Sequence, residues 1–288
     1  MEIRAGDYRL LLEPERGGSI LAFEWRGEAL LRPACGPAIL DVACFPLVPF
    51  SNRIAFGRFQ ANGREVQLRP NFPGSDHPHT LHGFGWLASW TVEHSDVNSV
   101  TLGHHYLEGE WPWPYYAEQQ FELTEEGLTI GLQIINHGQS LMPAGLGLHP
   151  YFPRDCNTVY YGLHHGEWRN DGDCLPQDLD LKERAIDWWD GRNVEERRVD
   201  TVYTNRQGIL SVAWPSRNLS LVIQPGDALP HTVVYTPEGQ NFICVEPVSH
   251  ATNALNSSPD DVKWLKPGES FAAVTSFRAT RNGSKRYS

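Results

Sequence analysis

The 288-residue chain is 40% hydrophobic and 11% aromatic, with 24 basic against 35 acidic side chains and a formal net charge of -11. That balance offers a nucleic-acid backbone no cluster of cations, which argues against such a partner. No run is apolar and long enough to span a bilayer, and Glu2 and Asp7 stand where an export signal needs bare positive charge, so a soluble, cytoplasmic protein is expected. Five cysteines (Cys35, Cys44, Cys156, Cys174, Cys244) are odd in number and contain no C-x-x-C pair, which indicates neither a disulfide framework nor a cysteine zinc site.

In chain order, Tyr8 to Leu31 holds apolar runs on either side of Gly17-Gly18 and again after Arg26-Gly27, a meander of hairpins. "FSNRIAFGRF" sets Asn52 and Arg53 between apolar segments, and "HTLHGFGW" sets His82 before a glycine-rich turn. "GLTIGLQIIN" alternates Leu128, Ile130, Leu132 and Ile134 with smaller or polar residues, the pattern of a half-buried strand. "GLGLHPYF" is a glycine-bounded apolar run in which His149 precedes Pro150, and a proline there places the histidine at a strand end. The best helix candidate is Asp178 to Trp189, possible also as a loop with a turn or two. "LSLVI", "TVVYT", "FICVE" and "FAAVTSF" add four strand-like runs, the third ending at Glu246-Pro247. With 26 Gly, 21 Pro and no alternation of strands with long helices, the expected fold is all-β, a large antiparallel sandwich with few short helices. Residues 1-278 are expected to form one domain and 279-288 a polar, basic, disordered tail; oligomeric state is not readable.

Two strands, one carrying His149 and one carrying Glu246, each deliver an ionisable group just before a proline. If they meet, an imidazole and a carboxylate face one pocket, the pair needed to move protons in both directions. "DHPHTLH" (Asp76, His77, His79, His82) offers metal-type ligands, but without a spacing that commits them. Trp86, Trp111 and Trp113 could stack on a ring or simply fill the core. His104-His105 and His164-His165 are adjacent pairs whose side chains point to opposite faces if extended, leaving one of each exposed.

The ordered motifs "NRI", "LHGFGW", the segment from Trp111 to Phe152 ending in "GLGLHPYF", "DTVY" and "CVEPVSHATNA" resemble the aldose 1-epimerase, or galactose mutarotase-like, family over roughly Asn52 to Asn253. The resemblance implies a β-supersandwich and the interconversion of α and β anomers of a free monosaccharide. It implies that Glu246 is the general base and His149 the general acid, with Arg53, His82, Asp200 and Asn52 holding the sugar. Opening a pyranose requires one proton to leave the C1 hydroxyl and one to reach the ring oxygen, so an acid and a base suffice and neither cofactor nor metal is called for. On this reading the two groups line one open cleft, far enough apart for a ring edge to lie between them, with Glu246 ionised and His149 raised in pKa. Two alternatives remain. A hexose-6-phosphate mutarotase would show an arginine soon after "HGF", where this chain has Trp86; a non-catalytic carbohydrate-binding module would need no acid-base pair.

Overall fold

The computed structural model describes residues 1-107, 109-181 and 188-281. Eighteen strands join in one curled antiparallel sheet that folds into two packed halves. The joint is the strand Asp200-Trp214, whose first residues pair with His231-Tyr235 and whose last pair with Leu219-Pro225. From Leu219-Pro225 one half continues through Ser270-Arg281, Gly127-Asn136, Tyr115-Thr124, Ser99-Tyr106 and Thr91-Ser95. From His231-Tyr235 the other continues through Phe242-Val248, Gly147-Pro153, Cys44-Leu47, Ser19-Trp25, Tyr8-Glu13 and Glu2-Ala5.

Alternation decides which face of each strand is covered. Leu128, Ile130, Leu132 and Ile134 are all buried, as their period of two requires, and join a large apolar cluster that includes Phe23, Phe121, Leu210, Leu221 and Phe277. A second cluster, around Phe45, Trp86, Tyr151, Val202, Val233 and Val248, packs against His149 through Phe45 and Tyr151. The expected hairpins of Tyr8 to Leu31 are present, with Tyr8 opposite Trp25 and Glu24 opposite Ala29.

Two expectations are corrected. Asp178 to Asp180 do not begin a helix: they belong to the strand Pro176-Asp180, where they pair with Arg169, Trp168 and Glu167, and Arg169 donates to Asp180 at 2.7 Å. Residues 182-187 of that candidate lie outside the described residues. The final strand runs on to Arg281, paired with Leu219, so three residues assigned to the tail are sheet. Among the described residues the one α-helix is Ala254-Ser257, and no helix is long and apolar enough to cross a membrane.

Candidate active site

Gly147-Pro153 lies between Cys44-Leu47 and Phe242-Val248, with Gly147 opposite Val248 and Tyr151 opposite Cys244. That register leaves His149 opposite Glu246, on one face of the sheet. One row further along the same face stand Tyr151, Cys244, Tyr235 and Asp200, each opposite the next. Residues remote in sequence are thus brought together by strand register alone.

The prolines do not end the strands. Pro150 and Pro247 both lie inside them, and the ladder between the two strands skips every pairing from Gly147-Val248 to Tyr151-Cys244. The Tyr151 N-H donates to Ala43 O, so the position before it would aim its N-H at the Glu246 strand. A residue without an N-H costs nothing where no ladder bond is made. The opening sits beside His149 and Glu246, whose side chains face each other as a close pair.

His149 Nε2 and Glu246 Oε1 are 3.3 Å apart. Both residues are buried, 8% and 2% exposed, which corrects the expectation of groups parted by a ring's width in an open cleft. Burial pushes the Glu246 carboxyl well above the ordinary carboxyl range, with Asp200 adding to the effect and Arg53 opposing it. Burial likewise pushes His149 down to about 3, with Arg32 adding to the effect and the residue's own backbone opposing it. The expected raised histidine is therefore reversed. Desolvation penalises both charges and so favours the uncharged form of each group, a pair that holds one exchangeable proton. Glu246 Oε2 and His149 Nδ1 have no hydrogen-bond partner among the described residues.

The other expected residues converge on this pair. His82 sits edge-on to His149, ring centroids 5.1 Å apart, and burial next to His149 and Arg53 holds it neutral, well below its ordinary value. Its backbone is left-handed (φ +61°), as is that of Asn52 (φ +53°), and the His82 N-H donates to Asn52 O at 2.9 Å. Such backbone is uncommon for residues with a Cβ and clusters where geometry is functional. Asn52 Oδ1 accepts from the Arg53 N-H at 2.9 Å and from Arg53 Nη1 at 3.1 Å, and Arg53 Nη2 donates to Asp200 Oδ2 at 3.1 Å. Asp200 is in turn held by Asn170 Nδ2, which donates to its carbonyl at 2.6 Å.

The remaining candidates go elsewhere. Trp86, Trp111 and Trp113 are buried at 0-1% exposure and pack on Phe45 and Phe59, so they fill the core. Phe56 N-H donates to His79 Nδ1 and His79 N-H to His77 Nδ1, which spends one nitrogen of each ring on local backbone. Of the histidine pairs, His105 and His165 are exposed as alternation demands. Residue patterning alone missed Phe45, Tyr151, Cys244 and Tyr235. Tyr151 and Cys244 were within reach, because each lies two positions from His149 or Glu246 and must share its face.

The description of the aldose 1-epimerase family matches residues 2-278. The chain belongs to the aldose 1-epimerase family. YphB of Escherichia coli K12, itself uncharacterized, is 33% identical over 283 residues, 92% of this chain and 93% of YphB. A crystal structure from Escherichia coli K12 ascribed to the aldose 1-epimerases superposes with a TM-score of 0.90 at 29% identity, covering 97% of this chain and 98% of that one. A galactose mutarotase-like protein from Clostridium acetobutylicum gives a TM-score of 0.86 at 19% identity, over 97% and 94% of the two chains. Membership in this family goes with a mutarotase-like activity on a sugar.

Proposed function

We propose that the protein interconverts the α and β anomers of an unphosphorylated aldose, with Glu246 and His149 as the proton-transfer pair. The observation that carries this reading is the 3.3 Å contact between His149 Nε2 and Glu246 Oε1 in a buried site. Ring opening needs a group that takes a proton and one that gives it, and a buried pair sharing one proton supplies both without net change. The two oxygens that exchange protons are bonded to the same carbon, so cross-strand neighbours are close enough to serve both. In the working complex the sugar's C1 hydroxyl and ring oxygen part the contact and the shared proton passes to His149, so that Glu246 accepts from the hydroxyl as His149 donates to the ring oxygen. The open-chain aldehyde rotates about its C1-C2 bond and recloses from the other face, the roles reversing.

Arg53, fixed by Asn52 and Asp200, and the neutral His82 are placed to hold sugar hydroxyls. The site's arginines also favour a neutral sugar over a phosphorylated one. Arg53 is engaged by Asp200, while Arg32 donates to the carbonyls of Leu40 and Val42 and stacks on Tyr151. With the Arg53 charge met by Asp200, the site offers a phosphate dianion less than it offers a neutral hydroxyl. The test is polarimetry on fresh α-anomers of hexoses, pentoses and deoxysugars with and without protein. Faster equilibration of at least one neutral aldose is expected. Acceleration of a 6-phosphate alone would overturn this reading in favour of a phosphosugar mutarotase, and no acceleration of any sugar would favour a binding module.

A further inference from the structure

Cys244 has no part in moving protons, yet it stands two residues before Glu246 on the same face and opposite Tyr151. A ring nitrogen of His149, the Cys244 sulfur and a Glu246 carboxylate oxygen all lie within 4.8 Å of one another, and all three side chains are buried. Within this group His149 Nε2 and Glu246 Oε1 are 3.3 Å apart. A tetrahedral zinc ion, with Zn-S near 2.3 Å and Zn-N and Zn-O near 2.0 Å, holds its ligand atoms about 3.3 to 3.6 Å apart. The His149-Glu246 separation already meets that figure, and the sulfur, within 4.8 Å of both partners, has at most about 1.3 Å to close. Two polar atoms here, Glu246 Oε2 and His149 Nδ1, have no other partner among the described residues.

We propose that His149, Cys244 and Glu246 form a three-ligand site for one borderline-soft divalent cation of the zinc class, and that its binding switches the proton-transfer pair off. Imidazole, thiolate and carboxylate together suit zinc and disfavour magnesium or calcium, which need more oxygen ligands than the site offers. Charge balance favours the same ion. A doubly charged cation with one thiolate, one carboxylate and one neutral imidazole leaves the buried site neutral. On binding, the thiol proton and the proton held between His149 and Glu246 leave to solvent, so two protons are released per cation. With its carboxylate and imidazole occupied, the site can neither take nor give a proton to a sugar. The inhibitory part rests on the mutarotase reading; the binding part does not.

The test is a titration of the reduced full-length protein with Co2+, then Zn2+. One equivalent of Co2+ is expected to produce a thiolate-to-cobalt charge-transfer band and the visible bands of a tetrahedral site, both erased by Zn2+. Cys244→Ser and Cys244→Ala should each lose the charge-transfer band and weaken Zn2+ binding about tenfold or more, whereas Cys35→Ser, which changes an exposed thiol, should change neither. On a sugar that the protein equilibrates, one equivalent of Zn2+ should abolish acceleration, EDTA should restore it and Mg2+ should do nothing. No band, or one that survives both Cys244 variants, overturns the site. A band that depends on Cys244 with full activity in zinc overturns the switch. Should no sugar be turned over, the spectra still decide the site.

Discussion

Replacing Glu246 by Gln should change how stability depends on pH, by an amount that follows from the buried ionisable groups. Burial holds His149 and His164 down to about 3 and His231 to about 4, whereas each titrates near 6.5 in an unfolded chain. The stability contributed by keeping them neutral is whole above about pH 6.5 and is lost as the pH falls toward the folded values. Each proton that the unfolded state binds and the folded state refuses is worth about 1.4 kcal/mol per pH unit, so these three alone give a slope of up to about 4, to which the likewise lowered His82 and His250 add. Glu246 acts in the opposite sense. Its folded value is raised, so its contribution is whole below the unfolded value near 4.3 and is lost as the pH rises, at about 1.4 kcal/mol per unit. Between about pH 6 and 5 Glu246→Gln should therefore lose stability on acidification more steeply than the wild-type protein, by about 1.4 kcal/mol per unit. Above about pH 7.5, where the unfolded chain's histidines are largely neutral, wild-type stability should decline with rising pH for as long as folded Glu246 keeps its proton, while the variant stays nearly level. Urea denaturation followed by tryptophan fluorescence across this range measures both slopes, and they report the proton count of the His149-Glu246 pair wherever the proton sits. Parallel curves for the two proteins would mean that folded Glu246 is an ordinary ionised carboxylate, and the account of the pair would be wrong.

On the best sugar of the panel, Glu246→Gln and His149→Asn should each lower kcat about 10²-fold or more while the protein stays folded, measured by polarimetry and circular dichroism. The pH profile of kcat/KM in the wild type should be a broad plateau, because burial opposes both adding a second proton to the pair and removing the one it holds; a narrow optimum at the ordinary histidine value would contradict this. Arg53→Ala should raise KM more than it lowers kcat and cost little stability, since the 3.1 Å pair with Asp200 is partly exposed; an unchanged KM would remove Arg53 from the binding site. Gly83→Ala should lower Tm by several degrees, about 2 to 4 °C per kcal/mol. A Cβ at this left-handed position (φ +72°) would stand 2.1 Å from Val48 O, directly after His82, and an unshifted Tm would show that the close approach is relieved cheaply.

Residue patterning reached the all-β class because period-two burial is local: Leu128, Ile130, Leu132 and Ile134 reveal their face without knowledge of their neighbours. It reached His149 and Glu246 as residues of interest, but it put them at strand ends, since a proline ordinarily removes a ladder bond. Neither proline breaks its strand, because the ladder between those strands is already interrupted. The 3.3 Å contact was out of reach for a different reason. It depends on the register of two strands about a hundred residues apart in sequence, and nothing local encodes that pairing. Charge state failed with it: burial, which reverses the expected shift of His149, is a property of the assembled sheet. Arg53, His82 and Asn52 were found as polar residues among apolar ones, while the left-handed backbone that aims two of them had no cue beyond the glycine following His82.

The two prolines also bear on how many sugars one such site can accept. A continuous ladder would clamp the strands of His149 and Glu246 at a fixed pitch, and widening the gap between acid and base would mean breaking backbone bonds at about 1 kcal/mol each. With Pro150 and Pro247 in place those bonds are missing from the start, so the sheet has a compliant seam where acid and base must part around a ring. If the protein acts on pyranoses as proposed, sugars that differ in the orientation or loss of a hydroxyl can be seated by small adjustments of the seam, and discrimination among them falls to Arg53, Asp200 and His82.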